Sequence, residues 1–150
     1  MITDNSRTLL FTFFLGETLW GLDTLDTQEV IRVTEITKVH NAEKYIIGII
    51  NLRGKIVTVI DLSEKLGLGK SIIGKASRIV IVEWNDEHIG LLIDSISDVI
   101  DIDKKNLTSA PSAIHGTRGG YIDSVYQADQ KLIAILNIQS VLEVSEERRE

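Results

Sequence analysis

The sequence contains no cysteine, which excludes disulfide bonds, thiolate metal sites and a cysteine nucleophile, and which fits a reducing compartment. Positive charge is also scarce, because 16 Lys and Arg residues stand against 22 Asp and Glu residues, for a net charge of −6. Nucleic acids and anionic lipid surfaces are bound by clustered Lys and Arg side chains. The acidic balance therefore argues against nucleic acid as a partner.

Long apolar runs are missing as well. The apolar runs of this chain are short, as Tyr45–Ile50 shows, whereas a membrane-spanning helix needs about 18 apolar residues in a row. The N-terminal segment Met1–Arg7 lacks the basic and then apolar order of a secretion signal. We therefore expect a soluble, cytoplasmic protein that is not inserted directly into a membrane.

What the chain does have is the composition of an ordinary globular domain. Its 150 residues are 43% hydrophobic and 25% charged, which is too apolar for a disordered chain. The length suits a single domain over residues 1–150, or two small subdomains that share a core.

Short clusters rich in Ile and Val, bounded by turn residues, predict a chain of β-strands. We place strands near Leu9–Leu15, Thr18–Leu22, Glu29–Val33, Ile46–Ile50, Lys55–Ile60, Arg78–Trp84, His88–Ile93, Val99–Ile102, Ile122–Tyr126 and Lys131–Leu136. Asp61–Glu64 carries a helix-capping pattern, and the tail from Ile138 predicts a second helix. The longest irregular stretch is Asp103–Gly119. The predicted fold class is all-β with small helices.

Several pieces of the sequence recur in the same order in the second half of the chain. The matched segments are Trp20–Leu22 with Ile89–Leu91, Glu29–Val33 with Asp98–Ile102, Tyr45-Ile46 with Tyr121-Ile122, and Lys55–Leu62 with Lys131–Ile138. We infer a duplicated β unit, with pseudo-repeats at approximately 9–66 and 78–142. Two small barrels packed on a shared hydrophobic core are the natural architecture, because closure removes sheet edges, and strands could be exchanged between them.

Several strands, such as Ile79–Val82, are apolar on both faces. An isolated small barrel would alternate between apolar and polar residues, with one face in water. The continuous runs therefore indicate that the barrels pack on each other or that a partner covers them.

Motifs for chemistry are incomplete. The phosphate-loop ending Gly69–Ser71 lacks its first glycine, and the calcium-loop opening at Asp101 places Lys105 where an oxygen ligand belongs. The three histidines, His40, His88 and His115, have no short metal-ligand spacing. We therefore predict no catalytic residue, no metal and no cofactor. One alternative stays open, in which the carboxylates Glu29, Asp94 and Asp98 line a ligand cleft.

The segment Asn51–Gly54 joins two apolar strands and displays Arg53 at the end of a hairpin. Taken alone, Arg53 is either an ordinary solvated arginine or an interface anchor, because arginine is enriched among binding hot spots.

The segment Ile47–Leu62 closely resembles the signature of the CheW-like domain of bacterial chemotaxis. Phe13–Val33 and Val80–Asp98 extend the resemblance across nearly the whole chain. The resemblance implies two five-stranded, SH3-like barrels packed on a common hydrophobic core. It also implies a non-catalytic adaptor that couples the cytoplasmic tip of chemoreceptors to the histidine kinase CheA in signalling arrays, with other CheW-like domains as further partners.

The same resemblance assigns roles to individual residues. On the kinase side it implies Thr27, Glu29 and Gly48, and on the receptor side Arg53, Ile96 and Val99. The chain departs from the family pattern at Thr58, where proline is common, and at Thr27, where an aliphatic residue is frequent.

Two alternatives to this function remain. The first is a CheW-like adaptor of another two-component pathway, such as motility or development. The second is a small-molecule-binding β-barrel protein.

Overall fold

The computed structural model describes residues 6–109 and 119–147, which form two β-sheets and two short helices. The strands are β1 (Arg7–Leu15), β2 (Thr18–Asp23), β3 (Thr27–Arg32), β4 (Ile46–Leu52), β5 (Lys55–Asp61), β6 (Arg78–Trp84), β7 (Glu87–Ile93), β8 (Ser95–Asp103), β9 (Leu107–Ser109), β10 (Ile122–Ala128) and β11 (Lys131–Leu136). The helices are α1 (Leu62–Lys65) and α2 (Ile138–Glu147). The predicted class, mostly β with small helices, is confirmed.

The largest differences from the sequence prediction lie in two regions. Strand β8 begins at Ser95, and part of the stretch predicted to be irregular forms a 3₁₀ turn at Lys104–Asn106 followed by β9. Both regions are polar, so they lack the apolar alternation that marks a strand in a sequence. The rest of that stretch, up to residue 118, lies outside the described residues.

Each sheet combines strands from both halves of the chain. The six-stranded sheet has the order β8-β1-β2-β11-β10-β9, and the five-stranded sheet has the order β3-β6-β7-β5-β4. Neighbouring strands are antiparallel, except for the parallel pairs β2/β11 and β5/β7. The hairpin β1–β2 of the first half thus lies among strands of the second half, and the hairpin β6–β7 lies among strands of the first.

The two sheets repeat the same register. Thr58 is opposite Ile89 in one parallel pair, and Ala134 is opposite Trp20 in the other. The bulge near the start of β4 recurs at the equivalent place near the start of β10. The two sheets therefore have equivalent strand pairings, and the duplication of the chain stays a prediction.

We call two residues counterparts when they take the same place in the two repeats. The correspondence runs from β1–β3 onto β6–β8, where Trp20 matches Ile89, and from β4–α1 onto β10–α2, where Lys55 matches Lys131. It allows the two halves to be compared residue by residue.

The apolar side chains form three clusters. The largest joins the two sheets and the helices, and it includes Phe13, Val80 and Leu91. The second belongs to the five-stranded sheet and includes Ile79 and Ile81, and the third is a smaller cluster within the six-stranded sheet. Alternate residues of β6 therefore face different clusters, which explains why the strand is apolar on both faces. Each fully buried aliphatic side chain stabilises the fold by about 1.5–3 kcal/mol.

The two helices begin in the same way. The Asp61 side chain accepts a hydrogen bond from the backbone N–H of Glu64 (3.3 Å), and Asn137 accepts one from Ser140 (3.1 Å). These bonds satisfy N–H groups that have no partner within the helix. The caps fix each helix at the end of its strand, β5 or β11. The closure of the sheets into SH3-like barrels stays a prediction.

Candidate functional site

The turn between β4 and β5 places Arg53 at the tip of a hairpin. Arg53 and Gly54 both have positive φ, 51° and 86°, as a two-residue hairpin turn requires. The side-chain oxygen of Asn51 accepts a hydrogen bond from the N–H of Gly54 (2.9 Å). The turn is therefore closed by local bonds, and Arg53 lies at its tip.

The Arg53 side chain forms an ion pair with Glu29, through Nη2 and Oε2. Glu29 is on β3 and Arg53 follows β4, and these strands are opposite edges of the five-stranded sheet. The sheet must curve strongly for the two to meet. The Glu29 carboxylate raises the pKa of Arg53, first by its hydrogen bond and then by its charge. The Arg53 side chain is still 68% exposed, so the guanidinium remains open to a partner.

A cleft of about 210 Å³ opens beside this pair. Its walls come from β3, from the β4–β5 hairpin and from β7, and they are Gln28, Glu29, Leu52, Arg53, Lys55 and His88. Sequence reasoning missed Gln28, Lys55 and His88 as a group, because each looks like an ordinary polar residue at a strand position. The curvature of the sheet brings them together.

Two of the residues expected on the kinase side, Thr27 and Gly48, place buried atoms against the rest of the protein. The Oγ1 atom of Thr27 is buried and has no hydrogen-bond partner among the described residues. Gly48 is buried, and a Cβ atom there would overlap the carbonyl oxygen of Thr37. Thr37 and Ile49 exchange two backbone hydrogen bonds at this crossing, of 2.9 and 2.8 Å. A contribution of Gly48 to binding would therefore act through the packing of the neighbouring segment.

The apolar residues expected on the receptor side lie on the other sheet. Ile96 and Val99 are on β8, an edge strand, and are 44% and 52% exposed. Ile96 is the counterpart of Thr27. Ile96 lies opposite Phe13 of β1, and Thr27 lies opposite Val82 of β6, which is the counterpart of Phe13.

The structure thus brings some expected site residues together and separates others. Glu29 and Arg53, expected on different sides, meet in one ion pair. Ile96 and Val99 form a separate apolar pair on the six-stranded sheet.

Of the three carboxylates that could line a ligand cleft, Glu29 lines the cleft beside Arg53, whereas Asp94 and Asp98 bond to the backbone elsewhere. The Asp94 carboxylate accepts a hydrogen bond from the N–H of Gly16 (2.6 Å), and the Asp98 carboxylate accepts one from the N–H of Val99 (2.8 Å). Within residues 6–109 and 119–147, no group of three or more His, Asp or Glu side chains could hold a metal ion. His115 lies outside the described residues.

A second concave surface, which we call the apolar groove, was also missed. It has a volume of about 410 Å³ on the six-stranded sheet, and the side chains on its floor include Phe14, Leu19, Trp20, Leu132 and Ala134. A signal was present in the sequence, because Leu132 belongs to a strand that is apolar on both faces. Leu132 is 58% exposed.

No helix in the described part of the chain is both long and apolar enough to cross a membrane.

Comparisons with known proteins agree on one family. Residues 9–146 match the family model of the CheW-like domain. The chemotaxis protein CheW of Treponema pallidum is 28% identical over 150 residues, which cover 97% of this chain and 88% of that protein. The chemotaxis protein CheW of Bacillus subtilis is 27% identical over 134 residues, 89% of this chain and 86% of that protein.

The solved structures agree as well. The crystal structure of the scaffolding protein TtCheW from Thermoanaerobacter tengcongensis superimposes with a TM-score of 0.84 at 36% sequence identity. The match covers 90% of this chain and 87% of that chain.

Proposed function

This chain belongs to the CheW-like domain family, and we propose that it couples methyl-accepting chemoreceptors to the histidine kinase CheA without catalysing a reaction. In this proposal the protein is a scaffold in the cytoplasm, recruited to receptor arrays. Its partners are the regulatory domain of CheA, the cytoplasmic tip of the receptor and other CheW-like domains.

The observation that carries the proposal is the Glu29–Arg53 ion pair. It presents an exposed guanidinium on a hairpin that local hydrogen bonds hold in place. A preorganised anchor loses little conformational entropy when it binds, and arginine is over-represented among the residues that dominate binding energy. We propose that Glu29 and Arg53 act as one contact unit. The ion pair argues against assigning them to two different partners.

The apolar pair on β8 supports a second contact. Ile96 and Val99 are half exposed on an edge strand, where a helical receptor tip could lay an apolar stripe. Thr27 and Gly48 would contribute on the kinase side, Gly48 through backbone packing. The protein would then join two partners through surfaces on its two sheets.

Coupling of this kind is physical. A ligand-driven change in the receptor reaches the kinase only if the scaffold's contacts differ in free energy between the kinase's active and inactive states. Individual contacts can be weak, because an array makes binding multivalent.

The test is a calorimetric titration of the wild type and Arg53→Ala against two probes, a CheA regulatory domain and a soluble receptor-tip fragment. We expect saturable binding of the wild type to both. Arg53→Ala should weaken binding to at least one probe by about tenfold, as truncation of a hot-spot arginine does. Its melting temperature should be unchanged, because the side chain is largely exposed.

The matched control is Asp129→Ala. Asp129 is the counterpart of Arg53 and occupies the same position of the β10–β11 turn, with a φ of 47°. It should bind like the wild type. Failure of the wild type to bind either probe would contradict the coupling function.

A further inference from the structure

The cleft beside Arg53 supplies more hydrogen-bond donors than acceptors. Its donors are the N–H groups of Arg53 that do not bond Glu29, the ammonium of Lys55, the amide of Gln28 and a ring nitrogen of His88. Among these lining residues the one carboxylate is Glu29, which already accepts from Arg53. The cleft can therefore donate hydrogen bonds to an acceptor group of another molecule.

Lys55 carries a charge that the fold does not neutralise. It is the first residue of β5, pairs with Leu52 across the turn, and forms no ion pair with any described residue. The protein as a whole is acidic, with a net charge of −6. An exposed lysine beside an exposed arginine makes this cleft a local attractor for anions.

The other half of the molecule shows that the fold does not require this arrangement. The counterparts of Glu29, Arg53 and His88 are Asp98, Asp129 and Leu19. The register around the two hairpins is the same, so the backbone is built equally well with an acidic turn and without a histidine. The cationic cleft is thus an addition to the shared framework.

We propose that this cleft binds an acidic side chain, Asp or Glu, of the bound partner, with Lys55 and the exposed edge of Arg53 as the charged donors. The inference rests on the proposed coupling function and adds the chemistry that the partner presents. A carboxylate offers two oxygens, which a guanidinium matches in charge and geometry and which an ammonium attracts as a point charge. A volume of about 210 Å³ accommodates one side chain rather than a whole helix.

The test compares Lys55→Gln with Lys131→Gln. Lys131 is the counterpart of Lys55 and is also the first residue of its strand. Each variant and the wild type are titrated calorimetrically, at low and at high NaCl concentration, against the CheA regulatory domain and the receptor-tip fragment. Melting temperatures check that both variants fold.

At low salt we expect Lys55→Gln to bind one probe about two- to fivefold more weakly than the wild type, which is the scale of an exposed ion pair. The difference should shrink at high salt, because counter-ions screen exposed charges. Lys131→Gln should bind like the wild type at both salt concentrations.

Other outcomes overturn the inference. Equal binding of Lys55→Gln and the wild type to both probes, or an equal loss in Lys131→Gln, would overturn it while leaving the coupling function in place. Absence of wild-type binding to either probe would overturn both.

Discussion

The hairpins β4–β5 and β10–β11 have the same framework and different surface chemistry. Each turns through two residues of positive φ, Arg53-Gly54 in the first and Asp129-Gln130 in the second. In each hairpin the second strand pairs in parallel with the second strand of another hairpin, β5 with β7 and β11 with β2. At the tip, however, one presents a cation held by Glu29 and the other presents an acid.

Positions that the two halves share are those that build the fold. The backbone carbonyls of Tyr45 and Tyr121 accept hydrogen bonds from the N–H groups of Asp61 and Asn137, at 2.7 and 2.9 Å. These residues close equivalent strands and start equivalent helices. Buried positions can also differ, as Phe13 and its counterpart Val82 do, but there both residues are apolar. Where the halves differ on the surface, as at Arg53 and Asp129, the side chain is available for binding without being required by the shared framework.

The cleft and the apolar groove illustrate this separation. Lys55 and Lys131 are counterparts, and each lines one of the two concavities. Beyond these lysines the surfaces diverge, because the counterparts of Phe14, Leu19 and Ala134 in the groove are Glu83, His88 and Thr58. The same backbone position therefore carries an apolar surface on one sheet and a polar surface on the other.

The largest expected effect comes from Gly48→Ala. The new Cβ atom would overlap the carbonyl oxygen of Thr37, so the crossing segment must move and its two backbone hydrogen bonds with Ile49 must weaken. We expect a loss of about 3 kcal/mol in the free energy of unfolding, at the upper end for an overpacked site. Urea denaturation of the wild type and the variant measures it.

The counterpart variant, Ser124→Ala, is the control for this prediction. The Oγ atom of Ser124 is buried and has no hydrogen-bond partner in the described part of the chain. Its removal should leave stability unchanged or raise it slightly. Equal urea midpoints for Gly48→Ala and Ser124→Ala would contradict the difference between the two positions.

The second prediction compares two glycines at the parallel strand pairs. A Cβ atom at Gly90 would lie 2.7 Å from Cγ2 of the buried Ile79, whereas one at Gly21 would lie 3.2 Å from Cγ2 of Ile133. Gly90→Ala should therefore lower the free energy of unfolding by about 2 kcal/mol, and Gly21→Ala should lower it by less than about 1 kcal/mol. Thermal unfolding of both variants decides the order, and a greater loss for Gly21→Ala would refute it.

The third prediction concerns a double variant in which two residues of the apolar groove are replaced by their polar counterparts from the five-stranded sheet. Leu19→His with Ala134→Thr places on the six-stranded sheet the residues that β7 and β5 carry. Leu19 and Ala134 are only partly buried. We therefore expect the double variant to lose about 1 kcal/mol or less in the free energy of unfolding, measured by urea denaturation. A collapse of the fold would show that the groove belongs to the core and would remove the contrast with the cleft.

The sequence predicts the strands well where aliphatic residues cluster, as in β6, because local composition suffices there. It does not predict β9, whose three residues, Leu107–Ser109, are too few and too polar to show a period. The repeated segments allow strands to be exchanged between the halves, but the partners of each strand depend on packing between distant segments. Those pairings became visible only in the sheet order.

The candidate site was predictable residue by residue but not as an arrangement. Glu29 and Arg53 were each named from the family resemblance, yet their contact joins opposite edges of one sheet. Sheet curvature is a collective property of many residues, so no local pattern signals the ion pair. For the same reason Lys55 and His88 were not recognised as neighbours of Arg53.

The smallest expected effect concerns Asp26, whose counterpart is the uncharged Ser95. Burial, and then the negative charge of Asp23, raise the pKa of Asp26 above its ordinary value of 3.8. A carboxyl whose pKa is raised by folding binds its proton more tightly in the folded state. Its ionised form therefore destabilises the protein at neutral pH, and this penalty disappears as the pH falls through the raised pKa and below 3.8.

Asp26→Asn should accordingly raise the melting temperature at pH 7 by a degree or so, a small shift because solvent screens this partly exposed group. The advantage of the variant over the wild type should narrow as the pH falls towards 4. Melting curves of both proteins between pH 7 and pH 4 test the sign. If the melting temperature of the variant instead rises relative to the wild type as the pH falls, folding lowers the pKa of Asp26. The charge of Asp26 would then stabilise the fold, at a position where the other half has the uncharged Ser95.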